Sequence, residues 1–261
     1  MLDGVLKSRA VLSLFGEDAT AFLQGIVTQD VTQDAAAFTA LLTPQGKILF
    51  DFFLVPVEGG YLLDCDASAA PALLKRLTMY KLRAKIALAE AAALSVHLGA
   101  AEGVTYADPR LDRLPSRTIA ATHEAAAVDD AYDAVRLAAG VPEFGRDFAA
   151  EEVFLLDVNY DVLRAVSYKK GCFVGQEVTS RMKRKGEIRK RTLMAHGAGL
   201  AAGAPVLADE NSIGEVLSVR GEQGLVLVRL DRLAEARAEG TPLTAGAAPL
   251  RIDIPAYLEP A

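Results

Sequence analysis

After Lys190 the chain changes character, and that change limits what it can fold into. Before it, strand-like and helix-like periods alternate. Beyond it, "RTLMAHG", "PVLAD", "SIGEVLSV", "GLVLVRL", "TPLTA" and "PLRIDIPAY" are short apolar runs divided by Gly, Pro, Asn and Asp at roughly ten-residue spacing, the pattern of a small β-barrel or sandwich. "DRLAEARAEG" is the one helix-like insert. A domain boundary is therefore expected near 190.

The earlier part reads as layered α+β. "AVLSLF" is strand-like, and Ala19, Phe22, Leu23 and Ile26 after Gly16-Glu17-Asp18 mark one buried helix face. "FTALLTPQGKILFDFFLVPVEGGYLLDCD" predicts three strands, with turns at "TPQGK" and "VEGGY". Pro56 suggests an edge or a bulge. "SAAPALLKRLTMYKL" predicts a second helix, "KIALAE" and "LSVHLG" two more strands, and the polar residues 100–115 a connection. "AAAVDDAYDAVRLAAG" predicts a third helix closing at Gly140, with Pro142 preventing its continuation. Helices mixed with antiparallel hairpins argue for α+β layers over a doubly wound parallel sheet.

Charge is unevenly spread. Residues 169–191 hold nine Lys or Arg and two Glu, a net +7 within a chain of −6, so the remainder is −13. Such a field repels bulk nucleic acid outside the basic segment. Cys65 and Cys172 are too few and too far apart for a disulfide framework, and the scattered His97, His123 and His196 form no metal-ligand spacing. No stably bound metal is expected. A reducing compartment, no signal-like start and no membrane-length apolar run together predict a cytoplasmic protein.

The segment "SYKKGCFVGQEVTSRMKRKG" draws the functional question. Neighbouring cations and a helix start both favour a thiolate, and Cys172 follows Lys169 and Lys170 just before a helix-like run. This chemistry alone leaves a reactive thiol and a buried structural cysteine equally open. Gly171 and Gly175 suit a turn, and the order matches neither phosphate-loop pattern. Gln176 and Glu177 have the donors and acceptors for a flat heterocycle, although composition favours a solvated helix face. The run "RMKRKGEIRKR" fits a solvated helix end, a phosphate-binding patch or a site for an anionic small ligand that arginine grips. The last is preferred, because aromatic residues for stacking nucleic acid are scarce here.

"KKGCFVGQE" resembles the signature of YgfZ-type folate-binding proteins, relatives of the glycine-cleavage T-protein that act in iron-sulfur cluster assembly or repair. Lys170, Gly171, Cys172, Phe173, Gly175, Gln176 and Glu177 match it, and Arg181 and Gly186 fit its downstream end. "FGEDATAFLQGIVTQDV", "ALLTPQGKILFDFFL", "YKLRAKI", "VRLAAGVPEFGRD" and "SIGEVLSV…GLVLVRLD" extend the likeness along nearly the whole chain. The resemblance implies two ferredoxin-like α+β modules and a C-terminal β-barrel in a ring around a central folate cavity. It divides the chain into 1–45 with 115–190, an inserted 46–114, and 191–261. It implies tetrahydrofolate as cofactor and the iron-sulfur assembly machinery or its client enzymes as partners, while the apolar-run lengths and the charge balance argue against membrane and nucleic-acid partners.

The resemblance also implies roles. Cys172 would attack an electrophilic adduct, hold sulfur or a cluster intermediate, or form a mixed disulfide, with Lys170 favouring its thiolate. Gln29, Asp30, Gln45, Lys47, Arg83, Gly175, Gln176, Glu177 and Arg181 would serve the folate. T-proteins are similar at "RLEAG", where the Glu holds the folate ring. Here Ala138 stands at that Glu, and Asp66-Ala67-Ser68 replaces an Asn-Ala-Ser-like segment. Both departures argue against an intact aminomethyltransferase and leave open whether a reaction is catalysed. A folate-dependent one-carbon transferase and a basic RNA-interacting module are the alternatives.

Overall fold

The computed structural model describes residues 2–184 and 188–259. In chain order the first elements are β1 (Gly4–Val5), β2 (Arg9–Phe15), α1 (Ala19–Ile26), β3 (Ala37–Leu42), β4 (Ile48–Val57), β5 (Gly60–Asp66) and α2 (Ala70–Lys81). Then come β6 (Ala87–Glu90), β7 (Leu94–Leu98), β8 (Gly103–Tyr106), β9 (Arg117–Ala121), α3 (Asp129–Ala138) and α4 (Gln176–Arg184). The last are β10 (Lys190–His196), β11 (Pro205–Ala208), β12 (Asn211–Arg220), β13 (Gln223–Arg229), α5 (Leu230–Glu239), β14 (Leu243–Ala245), β15 (Ala248–Pro249) and β16 (Arg251–Asp253).

Three sheets organise these elements. One has five strands in the order β3-β4-β5-β2-β6, and a second has four in the order β1-β7-β9-β8. In the five-stranded sheet β4 lies between β3 and β5, and residues 48–55 of "ILFDFFLVPV" are buried without alternation. A strand covered on both faces reads as such a run. Pro56 pairs with Tyr61 of β5, beyond Leu54, the last β4 residue paired to β3, so its missing N–H faces no ladder. A single apolar core holds residues of both sheets and of α1 and α2, including Leu12, Leu23, Phe53, Leu73 and Val96.

The third sheet is the nearly closed C-terminal barrel, seven strands in the order β15-β14-β11-β12-β13-β10-β16. Leu193, Val206, Val226 and Leu233 belong to its own core. The α+β expectation with a C-terminal barrel is what the chain folds into.

Some expectations differ from the structure. Residues 100–115 are more than a connection: they contain β8, and Asp108 and Arg110 within them are buried. The division at 45/46 cuts the hairpin in which Ala37 to Leu42 pair with Leu54 to Ile48, so strand pairing runs across it. No helix among the described residues is long and apolar enough to cross a membrane.

The two α+β sheets are tied together by buried charge. Arg9 of β2 donates to Asp64 of β5 at 2.5 Å, and Arg117 of β9 reaches the other oxygen of the same carboxylate at 2.9 Å. Arg110 pairs with Asp108 at 2.7 Å and donates to Tyr132 Oη of α3 at 2.6 Å. Arg136 of α3 donates to Asp147 at 2.5 Å. Glu143 lies 3.4 Å from Arg9 and 3.7 Å from Arg117. Burial alone would raise the Glu143 carboxyl. The guanidiniums of Arg110, Arg9, Arg117 and Arg136 outweigh it and hold it at about 2. For Asp51, which accepts a hydrogen bond from Tyr160, burial wins and pushes the carboxyl up to about 6.

Candidate functional site

The signature segment lies on a loop fastened at three points. The first is Lys170. Its side chain is buried, and Nζ donates to the carbonyls of Val27 at 2.5 Å and Gln29 at 3.1 Å. Burial lowers this ammonium to about 8, against the pull of Asp30. The surrounding chain is stitched to the same stretch after α1: Thr28 Oγ1 donates to Ala165 O at 2.6 Å, and Ser167 N to Thr28 O at 3.0 Å. The second point is Phe173, whose ring is buried, with Lys170 Nζ 5.5 Å from its centroid.

The third is Gly175, at φ +81°. A Cβ there would lie 2.8 Å from Thr43 O and 3.1 Å from Gly46 Cα, so only glycine lets the loop press onto the turn between β3 and β4. A Cβ at Gly46 would likewise lie 3.0 Å from Val178 Cβ of α4. Between these anchors Cys172 is exposed, whereas Cys65 is buried in β5 and its thiol is pushed up to about 12 by desolvation.

These positions revise several sequence expectations. α4 starts at Gln176, four residues after Cys172, so the thiol is not at a helix N-terminus; the dipole acts only over the first turn. Lys170 spends its ammonium on backbone carbonyls and holds the loop in place. Gln176 Nε2 turns back to Gly171 O at 3.4 Å, and Glu177 is exposed. Gln29 Nε2 donates to Arg164 O at 2.5 Å. Asp30 accepts from Thr32 and Gln24, and the bonds from Thr32 hold its carboxyl below the usual range. Gln45 is exposed at the β3–β4 turn, and Arg83 is exposed beyond α2. Lys185 of the basic segment and Gly186 of the signature lie outside the described residues.

Two of the expected ligand residues do meet, in a cavity of about 810 Å³ between the 147–157 segment, α4 and the barrel. Lys47 enters from β4's start, its Nζ 2.5 Å from Glu152 O and 4.2 Å from the Phe154 ring centroid. Arg181 enters from α4. Arg189 and Lys190 add two more cations, the acids Asp147, Glu152 and Glu215 also line the cavity, and Phe148, Phe154, Met182 and Leu217 supply apolar surface. Gln29, Asp30, Gln45, Arg83, Gly175, Gln176 and Glu177 are not in its lining.

Sequence reasoning missed Asp157, which also lines this cavity. Its Oδ2 accepts from Phe154 N at 3.0 Å, and desolvation raises its carboxyl. The one available signal was a lone acid within the apolar run "VFLLDV".

Comparison with known proteins places this arrangement. Residues 177–260 match the model of the CAF17 C-terminal beta-barrel domain. The iron-sulfur cluster assembly factor IBA57 homolog, mitochondrial, of Pyricularia oryzae is 30% identical over 92% of this chain and 75% of its own length. The chain belongs to the IBA57 family. Human IBA57, also named a mitochondrial iron-sulfur cluster assembly factor, is 29% identical over 87% of this chain and 77% of its own. The glycine cleavage system aminomethyltransferase T of Bartonella henselae superposes with a TM-score of 0.70 over 98% of this chain and 85% of its own, at 16% identity. This chain thus has the T-protein fold.

One expectation is narrowed here and another corrected. The family is IBA57, to which the YgfZ type is related. The cytoplasmic expectation is overturned, because the IBA57 relatives are named mitochondrial. Two unpaired cysteines point to a reducing compartment without saying which one.

Proposed function

We propose that this protein is an iron-sulfur cluster assembly factor in which Cys172 contributes one thiolate to a cluster held jointly with a partner protein. The observation that carries this reading is the exposed thiol on a loop pinned by Lys170, Phe173 and Gly175. Cluster binding usually takes several thiolates. Among the described residues no three of His, Cys, Asp and Glu group as metal ligands. One rigidly presented thiol therefore suits a shared cargo, with the remaining ligands supplied by the partner. The buried Lys170 anchor limits how far the sulfur can wander, and fixed ligand placement favours transfer.

The reading extends to a reduced folate as the occupant of the larger cavity, and the residues present suit one. Ligand pockets commonly span ~300–1,000 Å³, and this cavity of about 810 Å³ lies within that range. Lys47, Arg181, Arg189 and Lys190 would attract the glutamyl carboxylates. Phe148 and Phe154 offer apolar faces to a ring. Ala138 leaves no carboxylate at the end of α3. Asp157, whose carboxylate accepts one protein hydrogen bond, would take over recognition of the pteridine's N–H donors. A bound folate would supply one-carbon carriage, and these side chains would hold and orient it.

The test is a titration with 5-formyltetrahydrofolate of the wild type, Cys172→Ala and Asp157→Asn, alongside client iron-sulfur enzyme activities in cells carrying each variant. Saturable binding should weaken about tenfold in Asp157→Asn, as expected for losing one charged hydrogen bond. Client activity should collapse in Cys172→Ala. If the wild type shows no saturable binding, the folate half of the reading is wrong. If clients work normally without the thiol, the cluster half is wrong.

A further inference from the structure

A second cavity, apolar and of about 450 Å³, opens beside the loop that follows Asp157. Val162, Leu233, Ile254 and Leu258 wall it; its charged lining residues are Arg191 and Arg237, and none of the lining is a carboxylate. Val162 and Ile254 are 37% and 44% exposed, so the apolar wall reaches the surface. Contiguous exposed apolar surface with a polar rim marks an interaction site.

This groove connects physically to the thiol. Asp161, the neighbour of Val162, binds Arg191 at 2.5 Å and lies 3.7 Å from Lys183 of α4. Lys183 Nζ in turn sits 5.6 Å from the ring centroid of Tyr168, itself 36% exposed. Four residues of chain, at most about 14 Å, separate Tyr168 from Cys172. A run of contacts thus leads from the groove through Asp161 and Lys183 to Tyr168, four residues from the thiol, a strip along which Lys169, Lys183 and Arg184 are exposed.

We propose that this strip is the docking surface for the protein that shares the cluster, and that the groove takes an acidic segment with an apolar face. The proposal rests on the shared-cluster reading of Cys172. Charge decides the occupant: Arg191 is already answered by Asp161, but Arg237 in the groove and Lys169, Lys183 and Arg184 along the strip are exposed, so a partner gains by bringing carboxylates. Its apolar side chains would fill the space between Val162 and Ile254, and its acids would face Arg237 and Lys183. The sulfur would then be presented at the edge of the interface.

Two experiments test it. In cells, Val162→Asp with Ile254→Asp should lower client iron-sulfur enzyme activity about fivefold or more, as loss of an interface anchor does. Both positions are partly exposed, and an unchanged urea midpoint would show that the fold is intact. If that double variant supports normal client activity while Cys172→Ala does not, the docking surface lies elsewhere and the thiol reading stands. If both variants are normal, the reading beneath the proposal has failed.

In solution, the full chain is titrated with a short Leu/Glu amphipathic peptide, with its Leu/Lys twin, and with vesicles of equal phosphatidylcholine and phosphatidylglycerol. The acidic peptide should bind, and about tenfold more weakly to the double variant and to Arg237→Glu, a typical anchor effect. Peptide binding indifferent to these substitutions overturns the proposal. So does vesicle binding lost in the double variant, which would assign the groove to lipid. Self-association that disappears in the double variant would assign it to a second copy and overturn the proposal equally.

Discussion

Arginine and lysine do opposite work in two parts of this molecule. Between the two α+β sheets, Arg9, Arg110, Arg117 and Arg136 are buried, and each is paired with a carboxylate. Around Cys172, Lys169, Arg181, Lys183 and Arg184 are exposed, and the ion pair Lys183 makes is a long 3.7 Å. The buried set has already given up its water, and its charge is answered by protein groups. Two of its unbonded atoms still face opposite charge: Arg117 Nε lies 3.6 Å from Asp108, and Glu143 Oε2 3.7 Å from Arg136. The exposed set keeps its water and its field, so it remains available to a ligand or a partner. Burial, rather than residue type, separates structural charge from functional charge here.

The sharpest way to break this contrast is to remove a buried cation. Arg117→Met should strand Asp64 and Glu143 with less compensation and lose the stacking over Phe53, whose centroid lies 4.4 Å away. Breaking a buried pair on one side costs about 3–5 kcal/mol, and urea denaturation should show it. An Arg117→Met chain as stable as wild type would mean the network is not what joins the sheets.

The same network makes a signed pH prediction. Glu143, held at about 2, contributes stability that is present above its unfolded value and is lost as pH falls through the folded one. Asp51 works the other way. Its folded value of about 6 lies above the unfolded value of 3.8, so ionising it opposes folding above that range. Asp51→Asn keeps an acceptor for Tyr160 and should stabilise the protein at pH 7 by about 1–3 kcal/mol. The gain should shrink as pH falls from 6 towards 4 and vanish below about pH 3, where wild-type Asp51 is protonated in both states. Chemical denaturation across pH 3–8 checks both the size and the sign.

The two regions also differ in how far the sequence disclosed them. The thiol loop was legible because its parts are contiguous: Lys170, Cys172, Gly175 and Gln176 fall within seven residues. Its detail was less so. The helix-like run after Cys172 could not reveal that Gly175 must press against Thr43 and Gly46, which delays α4 to Gln176. The barrel was legible in its turn residues and short strands. The ionic core was not, because Arg9, Asp64 and Arg117 are separated by more than fifty residues each and any one of them reads as surface. "YADPRLDR" looked like a solvated connection, yet Asp108 and Arg110 are buried because each supplies the other's counter-charge. The cut at 45/46 failed to follow the sheet for a local reason: "TPQG" is a hairpin turn, and its own chemistry argued for keeping β3 with β4.

Lys170 stands between the two classes, since it is buried like the core arginines but faces carbonyls instead of a carboxylate at bonding distance. Lys170→Met should therefore cost less than Arg117→Met, about 1–2 kcal/mol for two lost hydrogen bonds partly offset by easier burial. The informative readout is local. With the anchor gone, amides of residues 169–175 should exchange faster while those of β4 and β9 do not. Uniform protection across the loop would show that Phe173 and Gly175 suffice to hold it.

Cys172→Ser should have the smallest effect on folding and the largest separation between folding and function. The side chain is exposed, so stability should stay within about 0.5 kcal/mol of wild type. A hydroxyl is a far poorer ligand for iron than a thiolate, so cluster-dependent activity should be lost all the same. A clear drop in the urea midpoint would mean the sulfur supports the loop and belongs with the buried set. Unchanged stability with lost activity would place Cys172 at the far end of the contrast, where a side chain is kept for what it offers to something outside the chain.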